Sequence, residues 1–118
     1  PYAALQSNPK ETYPQEPVNF DASKSHDYQN MPCKSFTWDF GDDTPKTKTN
    51  QPHTQHKYAK PGQYPVTVTV EDKHGQKAPA TVSQRVIDPS KPAHASLNTD
   101  PINRFRNVAP VGKTKPAR

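Results

Sequence analysis

Five aspartates, Asp27, Asp39, Asp42, Asp43 and Asp72, stand beside turn-forming residues. Loops of a β-fold could bring such carboxylates to one end, and calcium takes about six to eight oxygens from loops of this kind. The same residues are ordinary turn formers and strand-end caps, because an Asp side chain accepts hydrogen bonds from nearby backbone amides. His53 and His56 are three apart, which on a strand sends them to opposite faces and makes them a poor zinc pair. His26, His74 and His94 read as loop residues. Cys33 is the sole cysteine, so it forms neither an intramolecular disulfide nor a thiol metal cluster. There is no nucleophile elbow, phosphate loop or His-Glu-x-x-His, and adjacent Asp42 and Asp43 diverge in a turn instead of flanking a bond. This inventory points away from an enzyme.

The elements that must position these residues are strands. Val18 and Phe20 alternate at period two. Phe36, Trp38 and Phe40 share one face of a strand whose other face holds Ser35, Thr37 and Asp39. Lys46 to Thr49 alternates Lys and Thr, as an exposed edge does, where lysine discourages edge-to-edge pairing. A short strand follows over 54–58. Lys60-Pro61-Gly62 then turns the chain. The clearest strand runs from Gln63 to Asp72, with Tyr64, Val66, Val68 and Val70 facing one way. Pro65 near its start lacks a donor N–H, which favours an edge or an early strand position. Asp72-Lys73-His74-Gly75 is a hairpin turn, and residues 77–87 return as the last strand. No segment keeps helical periodicity over ten residues. Short strands with turns between them predict a two-sheet sandwich.

In that setting Trp38 is a core residue and not a ligand platform, and burying its ring contributes on the order of 3 kcal/mol. Tyr2, Tyr13 and Tyr28 lie outside the alternating strands and are the candidate contact surface.

Of the 118 residues only 29% are hydrophobic and 15 are proline, so a small core with polar, Pro-rich N- and C-terminal flanks fits the composition. Ten Lys/Arg against nine Asp/Glu give residues 1–87 a net charge of +1, and six against two give residues 88–118 a net of +4. The basicity belongs to the tail, which leaves a nucleic-acid-binding face on the folded part without support. No apolar run is long enough for membrane insertion. The tail contains Ile102, Phe105 and Val108 among basic residues, a pattern that suits a docking strand.

Val18-Asn19-Phe20-Asp21-Ala22-Ser23, Phe36-Thr37-Trp38-Asp39-Phe40-Gly41-Asp42, His56-Lys57-Tyr58 and Pro61-Gly62-Gln63-Tyr64-Pro65-Val66-Thr67-Val68-Thr69-Val70 occur in this order, followed by Asp72-Lys73-His74-Gly75. This set resembles the polycystic-kidney-disease (PKD) domain family over residues 9–88. The sequence departs from the family at Asp43, where a second Gly is usual, in the Lys/Thr-rich stretch before His53, and at Pro32-Cys33.

The resemblance implies an all-β, immunoglobulin-like two-sheet β-sandwich, with residues 1–8 as an extended lead-in and 89–118 as a Pro-rich basic tail or linker. It implies no enzyme and no obligatory cofactor, although some family members bind calcium; Asp39 and Asp72 match family positions that serve there, with Asp27 as a third candidate. It further implies an extracellular or cell-surface interaction or spacer module whose partner is a protein or a polysaccharide. The alternative is a structural subunit of a surface assembly or filament that self-associates through a terminal segment by strand addition.

Overall fold

The computed structural model describes residues 1–91. Eight strands follow one another: β1 Gln6–Asn8, β2 Glu11–Thr12, β3 Pro17–Asp21, β4 Ser35–Asp39, β5 Thr47–Thr49, β6 His53–Lys57, β7 Gly62–Glu71 and β8 Lys77–Val86. They form a three-stranded sheet in the order β1-β3-β6 and a five-stranded sheet in the order β2-β8-β7-β4-β5. Every pairing is antiparallel except β2 with β8, which is parallel. This is the expected all-β, two-sheet sandwich, and none of the described residues is helical.

The core follows from the alternation. Val18 and Phe20 of β3 face Phe36 and Trp38 of β4 and Val66, Val68 and Val70 of β7, and all seven are buried. Trp38 is fully enclosed, and its indole Nε1 donates to Thr49 Oγ1 at 2.9 Å, so the short edge strand β5 satisfies the one polar group of the ring. On β8 the inward positions Ala78, Ala80 and Val82 are only partly covered, because β1 lies over them as a strand of just three residues.

Within residues 1–8, Gln6–Asn8 form an edge strand paired with Asp21–Asn19, and Tyr2 bridges His26. The chain then changes sheets, so that Glu11 and Thr12 pair with Arg85 and Val86. Pro65 sits in β7, a central strand flanked by β4 and β8. It is tolerated because β4 has already ended: the last β4 pair is Asp39–Thr67, and Pro65 lies beyond it opposite Ser83.

Residues 88–91 form a turn in which Asp88 accepts from the Ser90 amide and hydroxyl. The proposed docking residues Ile102, Phe105 and Val108, and His94, lie outside the described residues.

Candidate functional site

The motif residues of β4 and β6 join the two sheets. Asp42, just past β4, has Oδ2 2.7 Å from Nε2 of His56 on the inner side of β6. The His56 ring lies flat on Phe40, with centroids 4.0 Å apart and planes 3° apart, and meets Tyr58 edge-on at 4.8 Å. The Tyr58 hydroxyl donates to the Phe40 carbonyl at 2.9 Å. Burial acts to raise the Asp42 pKa, but hydrogen bonds from His56 and Thr44 outweigh it and hold the carboxyl below its ordinary value. Burial pushes the Tyr58 phenol far above its usual range. A carboxylate, an imidazole and a phenol thus converge, but each is packed into the framework and used in contacts that hold it. Gly41 allows the turn that starts this cluster. Its φ is +80°, and a Cβ there would lie 2.2 Å from the Pro65 carbonyl oxygen.

His53 and His56 face opposite sides of β6 as the spacing predicted, with His53 exposed and 3.5 Å from Asp21.

The candidate calcium ligands do not form one set. Asp39 pairs with Thr67 in the ladder, whereas Asp72 follows the other end of β7, five residues on and therefore about 16 Å along the strand. Asp39 Oδ1 accepts from the Gly41 amide, as a strand-end cap. Asp27 and Asp72 do meet, lining one small hollow of about 80 Å³ with Tyr28, Gln29 and His74. Asp27 Oδ1 accepts from the Gln29 and Met31 amides, and the Met31 bond is the main cause of its lowered pKa. Asp72 Oδ1 accepts from the His74 and Gln76 amides, while its Oδ2 is buried with no partner. Among the described residues no group of three or more His, Cys, Asp or Glu could hold a metal. The structure thus brings Asp27 and Asp72 together and sets Asp39 apart from them, opposite Thr67 of β7. The Asp27–Asp72 pair fits a cation only if most of the remaining oxygens come from backbone carbonyls and water. Cys33 is a buried thiol whose pKa is pushed up by that burial.

Of the candidate contact residues, Tyr2 is 58% exposed, Tyr13 46% and Tyr28 78%. They do not form one patch. Tyr28 belongs to the Asp27–Asp72 hollow, whereas Tyr2 borders a groove of about 440 Å³ with Leu5, Gln6, Asp21, Lys24 and Ala80. A larger concavity of about 590 Å³ covers the outer face of the three-stranded sheet, lined by Gln6, Asn8, Asn19, Asp21, His53 and Gln55. Gln55 Nε2 donates to Asn19 Oδ1 at 2.8 Å. Sequence reasoning missed this face. Its residues are the outward partners of Val18 and Phe20 and could be placed by parity, but nothing in their types sets them apart from a solvated sheet surface.

Fold and site together define an immunoglobulin-like sandwich module whose motif residues serve architecture. The family described as the PKD domain matches residues 1–87, and the chain belongs to that family. PKD domains are typically non-catalytic modules and occur in extracellular or secreted proteins. A collagenase, ColA, of Clostridium perfringens is 32% identical over 100 residues, covering 85% of this chain and 9% of that protein. The chain thus spans less than a tenth of that relative. Among solved structures, one described for the promiscuous specificity of carbohydrate-binding modules of the β-sandwich superfamily is 30% identical, with a TM-score of 0.69 over 75% of this chain and 34% of the other. The PKD1 domain of Vibrio anguillarum Epp is 25% identical, with a TM-score of 0.57 over 74% of this chain and 93% of the other. No helix among the described residues is long and apolar enough to cross a membrane.

Proposed function

We propose that this chain is a non-catalytic module that acts outside the cell or at its surface and binds a polymeric partner, a protein or a polysaccharide. The observation that carries this reading is how the reactive groups are used. His56, Asp42, Tyr58 and Asp39 are all drawn into hydrogen bonds that hold turns and join sheets, while a concave sheet face bearing Asn, Gln, Asp and His side chains lies open to solvent. The similarity to a collagenase and to a structure described for carbohydrate-binding modules supports both partner classes. The test is co-sedimentation of the 118-residue chain with fibrillar collagen, gelatin-agarose, chitin, cellulose and insoluble xylan. Retention on at least one is expected, and retention on none would leave only a spacer role.

A second reading, strand addition within an assembly, draws on the edge of β8. There β2 pairs only with Arg85 and Val86, which leaves Lys77–Gln84 without an outer neighbour among the described strands. Pro79 interrupts that edge, and an edge proline discourages pairing, so this reading ranks second. Sedimentation velocity over a concentration series tests it, with a monomer expected throughout.

A further inference from the structure

The groove beside Tyr2 and the concave face of the three-stranded sheet share Gln6 and Asp21. They therefore adjoin at β1, and together they make up a surface, here called the trough, that extends from Tyr2 to Gln55 and His53 on β6. We propose that this trough binds a neutral polysaccharide, a proposal that rests on the reading of the chain as a polymer-binding module.

Three features point to that ligand class. The first is a fixed aromatic ring. Tyr2 exchanges two backbone hydrogen bonds with His26, at 2.8 and 3.0 Å, and its ring stacks on the imidazole at a centroid distance of 5.1 Å. Tyr2 as a residue is nevertheless 58% exposed, so beside the face stacked on His26 it offers a held apolar surface with a polar tip. A sugar ring, apolar on its C–H faces and polar at its rim, matches that chemistry.

The second is the hydrogen-bonding inventory. Asn8, Asn19 and Gln55 stand in one cross-strand row, and Gln6, Asp21 and His53 in the next. Each amide can both donate and accept, as each sugar hydroxyl can, so beyond the Gln55–Asn19 bond the rows can satisfy hydroxyls in either sense. Rows on a sheet repeat about every 4.8 Å across strands and about 7 Å along them, a regular array for an extended chain. Asp21 Oδ1 accepts from the Ser23 amide and lies 3.5 Å from His53 Nδ1, so the carboxylate is held in place within the row.

The third is charge. The trough holds one carboxylate, Asp21, and one ammonium, Lys24, so it favours neither an acidic nor a basic polymer. A protein partner is the weaker match, because protein interfaces are anchored by clustered large apolar side chains. Here Tyr2 is the one large exposed apolar side chain among the lining residues, and Leu5 and Ala80 are already packed against the core.

The test is binding of the full 118-residue chain and its variants to insoluble chitin, cellulose and xylan, with gelatin-agarose as the protein arm. Wild type should be retained on at least one neutral polysaccharide. Tyr2→Ala and the double variant Asn19→Ala/Gln55→Ala should each weaken that retention about tenfold, as loss of a central contact does. Tyr13→Ala, outside the trough, should bind as wild type, and thermal denaturation should show that all variants fold. Polysaccharide retention unchanged in folded trough variants would overturn the trough while leaving the module reading intact. Retention on gelatin alone, reduced by the same variants, would overturn it in favour of a protein ligand. Retention on nothing would overturn both.

Discussion

His56 Nε2 sits 2.7 Å from Asp42 Oδ2 while its ring lies flat against Phe40, so one imidazole from the three-stranded sheet ties down the turn that leaves β4 in the five-stranded sheet. Both side chains are largely buried, at 16% and 13% exposure, so neither group can be removed without leaving the other short of a partner in a poorly solvated place. His56→Ala should cost about 2 kcal/mol in urea unfolding at pH 7.

The same contact sets an acid sensitivity. Although burial works in the opposite sense, bonds from His56 and Thr44 hold the Asp42 carboxyl below its ordinary value, so the folded state keeps it ionised where the unfolded chain takes up a proton. The resulting stabilisation is fully present above the unfolded carboxylate value of about 3.9, and is lost as pH falls through the lower folded value. Asp27, lowered chiefly by the Met31 amide, and Asp21, lowered chiefly by the Ser23 hydroxyl, act in the same direction. Urea midpoints should therefore fall as pH drops below about 4. Asp42→Asn should be less stable at neutral pH but lose less on acidification; an unchanged acid slope would remove Asp42 from this account.

Glycines 41 and 75 should respond very differently to alanine. Both have positive φ, +80° and +82°, but a Cβ on Gly41 would meet backbone 2.2 Å away, whereas one on Gly75 meets nothing within 4 Å. Gly75→Ala should cost only the conformational penalty of about 1 kcal/mol. Gly41→Ala should cost on the order of 3 kcal/mol or more, since Pro65 is held in the centre of the sheet and cannot retreat. Equal shifts in melting temperature would contradict this.

Asp43 also lies in the left-handed region, at φ +66°, which accounts for the family's preference for glycine at this place. Asp43→Gly should raise stability by a few tenths to about 1 kcal/mol, read as a higher urea midpoint with an unchanged slope.

Asp72 is the place to test a cation. With calcium at millimolar concentration, the wild-type melting temperature should rise, because a buried carboxylate oxygen without a partner would gain one. Asp72→Asn should abolish the rise, and Asp39→Asn should leave it intact. A rise that depends equally on Asp39 would reinstate the original three-carboxylate set.

The strands and core were legible because their signal is periodic. Phe36, Trp38 and Phe40, and Val66, Val68 and Val70, alternate strictly, and alternation alone fixes which face is buried. The first twelve residues were harder, because β1 and β2 have three and two residues, too few to show a period. Their places depend on partners far along the chain, Asn19–Asp21 and Arg85–Val86. The acidic loops were identifiable as loops, but their grouping was not, since whether Asp39 or Asp27 meets Asp72 depends on which end of β4 a loop leaves. The trough was the least visible feature. Asn19 and Asp21 are what any outward strand position holds, and they become distinctive only once β1 and β6 set Gln6, Asn8, His53 and Gln55 beside them.

The parallel pairing of β2 with β8 fixes an order of events during synthesis. Thr12 emerges well ahead of its ladder partner Val86, which follows 74 positions later, and Gln84, which caps the Pro9 carbonyl, is 75 positions from it. The long β7–β8 hairpin joins neighbours in sequence and can form as soon as its own residues are out, whereas β2 must wait for β8, and closing so wide a loop is entropically slow. Until then a nascent chain exposes the inner faces of both sheets at the β1–β8 side. Among the described strands, the sandwich is sealed by an early one, and only after β8 has arrived.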